Sequence, residues 1–133
     1  MTRTELDSLS GKIIGAAIEV HKELGPGLLE NAYEACLHHE LSLRGIHAER
    51  QVPLPVEYKG LLIECGYRLD LVVERKIVVE LKAISEVLPV HRAQLLSYAR
   101  LGKYPLGLLI NFHELLLKDG VHRVINDRIT LED

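Results

Sequence analysis

Asp70, Glu80 and Lys82 are three charges in a stretch that is otherwise mostly apolar, Tyr67–Ala83, YRLDLVVERKIVVELKA. Val72, Val73, Ile77, Val78, Val79 and Leu81 supply the branched side chains that favour a buried sheet. Glu74, Arg75 and Lys76 are the polar break between the two runs, so the stretch reads as two strands and a tight turn. A charge in a buried strand is costly unless it is paired or holds a metal. If the turn centres on Arg75, Asp70 lies directly opposite Glu80, with Cβ atoms about 4.5–5.5 Å apart. A neighbouring register moves that pairing by one residue. Glu80 and Lys82 are two apart and point to one face. Two carboxylates so placed repel, and a divalent cation relieves the repulsion. A lysine beside them can orient a water or stabilise a developing negative charge. The plainer reading of the same residues is a surface hairpin carrying a salt bridge.

The flanking elements decide whether anything else reaches this hairpin. Leu6, Leu9, Ile13, Ala16, Ala17, Val20 and Leu24 recur at helical spacing and predict a helix over 4–24. Gly25-Pro26-Gly27 ends it. A second helix is expected over 28–44, closed by Gly45, with Glu30, Tyr33, Glu34, Leu37 and Leu41 on one face. Glu30 falls in its first turn, where an acid is favourable whatever else it does. Residues 51–58, QVPLPVEY, read as an edge strand, because Pro53 and Pro55 cannot donate to a ladder. Lys59-Gly60 turns the chain into LLIECGYRLDLVV, where Gly66 marks a bulge or bend. Pro89 suits the first turn of a third helix, over 90–101, ended by Gly102. On it, His91, Gln94, Leu95 and Tyr98 share a face, whose polar members either look into a cleft or are simply solvated. PLGLLINF, 105–112, reads as a buried strand parallel to the second strand of the hairpin. VHRVI, 121–125, adds a last strand. The order is α-α-β-β-β-α-β-(β), an α/β fold with a mixed sheet flanked by helices.

A chain of 133 residues with 47% hydrophobic content suits one soluble domain, 1–133, with a sizeable core. No apolar run reaches the ~18 residues needed to span a bilayer, and MTRTELDSLSGK has no signal-peptide core. A cytoplasmic protein without membrane partners is expected. Cys36 and Cys65 are too few for a four-cysteine site and read as reduced, partly buried side chains. The seven histidines show no zinc-type spacing. The net charge of −3 excludes a generic basic coat for nucleic acid. The charge is uneven: residues 1–40 hold three Lys/Arg and seven Asp/Glu, while 75–103 hold six and two.

Four blocks taken together resemble one family. Gly27, Glu30 and Tyr33, within LGPGLLENAYE, match the naming motif of the GxxExxY proteins, part of the PD-(D/E)XK nuclease superfamily. Asp70 followed by Glu80-Leu81-Lys82 resembles the superfamily signature. HRAQLLSY, with Gln94 and Tyr98, is similar to the glutamine–tyrosine helix of recombination-type nucleases, and LGLLINF is also family-like. Leu69 stands where the superfamily name has proline. The resemblance implies a restriction-endonuclease-like core, αβββαβ, and a divalent-metal site for Mg²⁺ or Mn²⁺. It implies Asp70 and Glu80 as ligands, the Leu81 carbonyl as an additional one, and Glu30 as a ligand or supporting acid. Lys82 would position or activate the attacking water. Gln94, Tyr98 and His91 would line the cleft and touch substrate.

The expected activity is metal-assisted phosphodiester hydrolysis in nucleic acid, DNA ahead of RNA, with a homodimer by analogy to small nucleases that cut both strands. Two readings compete with it. One is a catalytically silent nuclease-fold module that binds nucleic acid or a protein partner, since a fold can outlive its chemistry. The other is a purely structural acid–lysine network.

Overall fold

The structure, a computed structural model, describes residues 1–132, so the last residue of the expected domain lies outside the described residues. Helix α1 (Arg3–Leu24) starts at a capping box, in which the Thr2 side chain accepts from the Glu5 amide at 3.1 Å. Helix α2 (Glu30–Leu43) ends in a Schellman motif: the Gly45 amide bonds Ser42, and the Ile46 amide bonds Leu41. Gly45, at φ 73, takes the left-handed position for which glycine suits it.

Seven strands follow in two sheets. The larger is β1 (Ala48–Pro53), β4 (Arg68–Val73), β5 (Ile77–Lys82), β6 (Leu106–Asn111) and β7 (Val121–Ile125), in that spatial order. All its pairs are antiparallel except β5–β6, which is parallel as expected and connected through α3 (Pro89–Gly102). A 3₁₀ turn, Leu117–Gly120, leads into β7. The smaller sheet is the hairpin β2 (Val56–Tyr58) and β3 (Leu61–Ile63). Helix α2, strands β1, β4 and β5, helix α3 and strand β6 give the αβββαβ order of a restriction-endonuclease-like fold.

Two boundaries differ from the sequence reading, each for a local reason. The expected single strand over 51–58 is two strands. Pro53 ends β1 at the sheet edge, the Leu54 amide bonds Tyr67 instead, and 56–58 leave for the hairpin. Helix α3 is ended by Lys103, left-handed at φ 60, rather than by Gly102. Gly102 serves the Tyr104 ring, which occupies the space a Cβ would need. Both cysteines are free but exposed, not partly buried.

The core lies on both faces of the larger sheet. Under α1 and α2, residues such as Ile13, Ala17, Tyr33 and Leu37 pack on Leu71, Val73, Ile77, Val79, Leu81, Leu108 and Ile110. On the α3 side, Leu95 packs with Leu54, Leu69, Val72, Val78, Leu109 and Val124. β5 is buried on both faces, which explains its nearly unbroken apolar run. No helix among the described residues is long and apolar enough to cross a membrane.

Candidate active site

The β4–β5 hairpin adopts the register that centres its turn on Arg75. Leu71, Val72 and Val73 pair with Val79, Val78 and Ile77. Glu74 and Arg75 carry the turn at φ 52 and 56, the left-handed pair that suits a twisted hairpin. His47 holds this turn, taking the Glu74 amide on its carbonyl at 2.9 Å and giving its own amide to the Glu74 carboxylate at 2.8 Å.

The ladder stops one pair short of Asp70 and Glu80, and side chains take over. The Asp70 amide donates to Glu80 Oε1 at 3.2 Å, and the Leu81 amide donates to Asp70 Oδ2 at 2.9 Å. The two carboxylates lie side by side between the strands. Glu80 is only 8% exposed, and Asp70 is half-buried. Burial, and then the Asp70 charge, push the Glu80 carboxyl up to about 8. Asp70 is raised too, mainly by burial; the Leu81 amide opposes this, and the charges of Glu34 and Glu30 add to it. In a strand the N–H and C=O of one residue project to the same edge. The Leu81 carbonyl therefore faces the same gap as its amide.

Glu80 and Lys82 share the Val78 face of β5, toward α3, as their spacing requires. Lys82 is half-buried and makes no ion pair among the described residues; its charge pulls the Glu80 pKa down. Its backbone is fixed from both sides. The Lys82 carbonyl accepts from Phe112 at 2.8 Å, and buried Asn111 bonds both the amide and the carbonyl of Ile84.

Helix α2 approaches from the other face. Gly27, at φ 96, shapes the turn before it. Tyr33, fully buried and stacked on Phe112 at 4.4 Å, clamps that turn: its hydroxyl donates to Gly25 at 2.6 Å and accepts the Leu28 amide at 3.0 Å. Two of the three motif residues thus set where α2 starts, and the third, Glu30, is its exposed first residue. Glu34, one turn on, is 5% exposed. Arg50 donates twice to its Oε2, and Gln51 donates to its Oε1 at 2.6 Å. Gln51 stands across from Asp70 in the β1–β4 register, at φ 52. Glu34, Arg50 and Gln51 did not stand out in the sequence as site residues. Only the spacing of Glu34, four after Glu30, could have found one of them.

Helix α3 brings Gln94 and Tyr98 together, with Gln94 Nε2 donating to the Tyr98 hydroxyl at 2.9 Å. The Tyr98 ring lies 5.8 Å from Tyr67, which the sequence reading did not single out as a site residue. Burial, then the Glu80 and Tyr67 groups, raise the Tyr98 pKa. His91 caps the start of α3, its Nδ1 accepting the Leu88 amide at 2.9 Å.

Chemically, the gap offers two repelling carboxylates and a carbonyl. Among the described residues no three His, Cys, Asp or Glu side chains converge as a metal cluster; the Glu30 charge adds to the rise at Asp70. Two carboxylates with a carbonyl still fit a hard cation of magnesium's kind, which binds through one or two carboxylates and keeps several waters.

A family model described as the PD-(D/E)XK nuclease superfamily matches residues 7–124, a span that contains every residue of this site. A comparison with curated proteins found no match.

Proposed function

This chain belongs to the PD-(D/E)XK nuclease superfamily, and on that premise we propose that it is a metal-dependent nuclease hydrolysing phosphodiester bonds, within the GxxExxY group, acting in the cytoplasm as one domain. The observation that carries the proposal is the Asp70–Glu80 pair, two carboxylates side by side in a sheet, with Lys82 on the Glu80 face and in no ion pair among the described residues. A buried like-charged pair is unfavourable alone and suits a site made for a cation.

Asp70 and Glu80, with the Leu81 carbonyl, would hold Mg²⁺ or Mn²⁺. A divalent cation there supplies Lewis-acid activation of the phosphate and of a water. Lys82 sets its ammonium beside the attacked phosphorus, orients the water and offsets the charge that develops. Glu30 adds negative potential at the rim. Gln94 and Tyr98 offer an amide and a neutral hydroxyl to phosphate or base. DNA is the substrate class to test first, then RNA.

The test is cleavage of labelled single-stranded, duplex and branched DNA, and of RNA, with Mg²⁺ or Mn²⁺. Asp70→Ala should abolish cutting, and Lys82→Ala should lower its rate by about 10²–10³. Equal cutting by either variant would sink the assignment.

A second reading, a silent nuclease-fold module, has one observation in its favour. Each carboxylate already accepts a backbone amide, so the pair has a structural use. Calorimetry with Mn²⁺ separates the two. Binding lost in Asp70→Asn and Glu80→Gln supports the enzyme, and a folded parent that binds no metal supports the module.

A further inference from the structure

We propose that this protein forms a two-fold homodimer through the outer edge of strand β3, Leu61–Ile63. The hairpin β2–β3 is a sheet of two three-residue strands, and neither strand packs substantially on any other element. A lone two-stranded hairpin is marginal in water and needs further strands for stability. Its apolar side chains are left in solvent: Tyr58 is 60% exposed, Leu61 60% and Leu62 61%.

The two edges are not alike. The β2 edge is guarded by Pro55 and by Glu57, the usual means of blocking strand addition. The β3 edge carries Leu61, Leu62 and Ile63, with no charge and no proline. An unguarded apolar edge is a template for another strand.

The sequence of that edge selects a second copy as the strand. Antiparallel pairing about a dyad at Leu62 sets Leu62 against Leu62 and Leu61 against Ile63 of the other copy, so every central pair is apolar. One step out, Glu64 of each copy meets the Lys59-Gly60 turn of the other, which brings opposite charges together at both ends. An isologous interface of this kind is self-complementary by construction. Nucleic acid is a poor occupant, since 56–64 holds Glu57 and Glu64 against Lys59 alone. The joined sheet would have four strands, β2-β3-β3-β2. An edge this short buries less than the roughly 800 Å² per partner of a standard interface. The dimer is therefore expected to dissociate on dilution.

The test is sedimentation of the whole protein across a concentration series, with exchange of the Leu62 amide as an independent readout. The parent should form dimers, and the Leu62 amide, which alone of 61–63 points away from β2, should be protected only where dimers form. Leu62→Lys puts two ammonium groups face to face on the dyad and should weaken association at least tenfold. Leu62→Glu should do the same, and mixing the two variants should restore the dimer. Circular dichroism should be unchanged in both, because the side chain lies outside the core. A parent that stays monomeric at every reachable concentration overturns the proposal. So does a Leu62→Lys protein as dimeric as the parent, or a mixture that stays monomeric while its position-62 amides exchange freely. None of these outcomes depends on whether the chain is a nuclease.

Discussion

Replacing Glu80 by glutamine should make the cation-free protein more stable at alkaline pH, not less. Glu80 has an ordinary carboxyl value of 4.5 when unfolded and about 8 when folded. The folded state thus keeps a proton that the unfolded chain has already lost. The contribution of Glu80 is complete below pH 4.5, falls as pH rises through that window, and is lost above about pH 8. At about 1.36 kcal/mol per pH unit, the full drop is on the order of 3–5 kcal/mol. That is a large share of the 5–15 kcal/mol that holds a typical domain together. Glutamine copies the protonated carboxyl. Its oxygen still accepts the Asp70 amide, and its NH₂ faces Asp70 without repulsion. Urea unfolding in EDTA, from about pH 4.5 to about pH 9, should show a falling curve for the parent and a flatter one for Glu80→Gln. The two should meet at the acid end. Added Mg²⁺ should lift only the parent at the alkaline end, because only the parent has the second charge to hold it. Parallel curves across the window would refute the reasoning, since Glu80 would then not be the group that titrates.

Glu34→Ala should cost about 1–3 kcal/mol by urea midpoint. It removes the buried partner of Arg50 and Gln51, with the value reduced because Arg50 is 41% exposed. Tyr33→Phe keeps the Phe112 stack but loses both hydrogen bonds across the Gly25–Leu28 turn, and should cost about 1–3 kcal/mol in the same assay. Lys82→Ala should lower cleavage rate by about 10²–10³ while moving thermal stability little, because no carboxylate among the described residues pairs with it; equal losses of both would make Lys82 structural. Tyr98→Phe should raise KM more than it lowers kcat if the Gln94–Tyr98 pair contacts substrate, as steady-state kinetics would show.

Much of this arrangement was legible in the chain because it rests on local periodicity. The polar break Glu74–Lys76 sets the Asp70–Glu80 register, and the spacing of Glu80 and Lys82 sets their common face. Helix α2 was legible through Tyr33, Leu37 and Leu41, and the parallel strand β6 through its unbroken apolar run. The parts that stayed hidden depend on contacts between distant segments. Nothing local says that Arg50 and Gln51 reach back to Glu34, since that contact requires β1 to pair with β4 first. The Lys59-Gly60 turn was legible, but the split of 51–58 into β1 and β2 was hidden, because two prolines that exclude a central strand do not say whether the chain continues along the edge or leaves it. Nor does the spacing of His91 show that Leu88, three residues before it, offers a free amide at a helix start, which His91 Nδ1 takes as a cap.

The site's position has a cause in the sheet itself. Residues two apart on a regular strand share a face, yet Leu69 packs on the α3 side while Leu71 and Val73 pack under α1 and α2. The alternation slips at Asp70. Across from it on β1, Gln51 is left-handed at φ 52, an uncommon conformation for a residue with a side chain. On the other flank, the ladder to β5 has ended at Leu71–Val79, while the parallel β5–β6 ladder runs on to Lys82–Asn111. β5 is therefore held straight by one neighbour and released by the other. The opening falls where Asp70 and Glu80 exchange amide bonds in place of backbone ones. Strain of this kind, at about 1–3 kcal/mol per residue, persists only where surrounding contacts over-determine it. Glu34 supplies those contacts by fixing Gln51 through its side chain and Arg50 through its guanidinium. If that is its part, Glu34→Ala should let β1 and β4 regain a regular ladder and close the gap. Asp70 and Glu80 would then lose Mn²⁺ binding in calorimetry even though neither has been changed, and a Glu34→Ala protein that binds Mn²⁺ as the parent does would show that the opening is set by β5 alone.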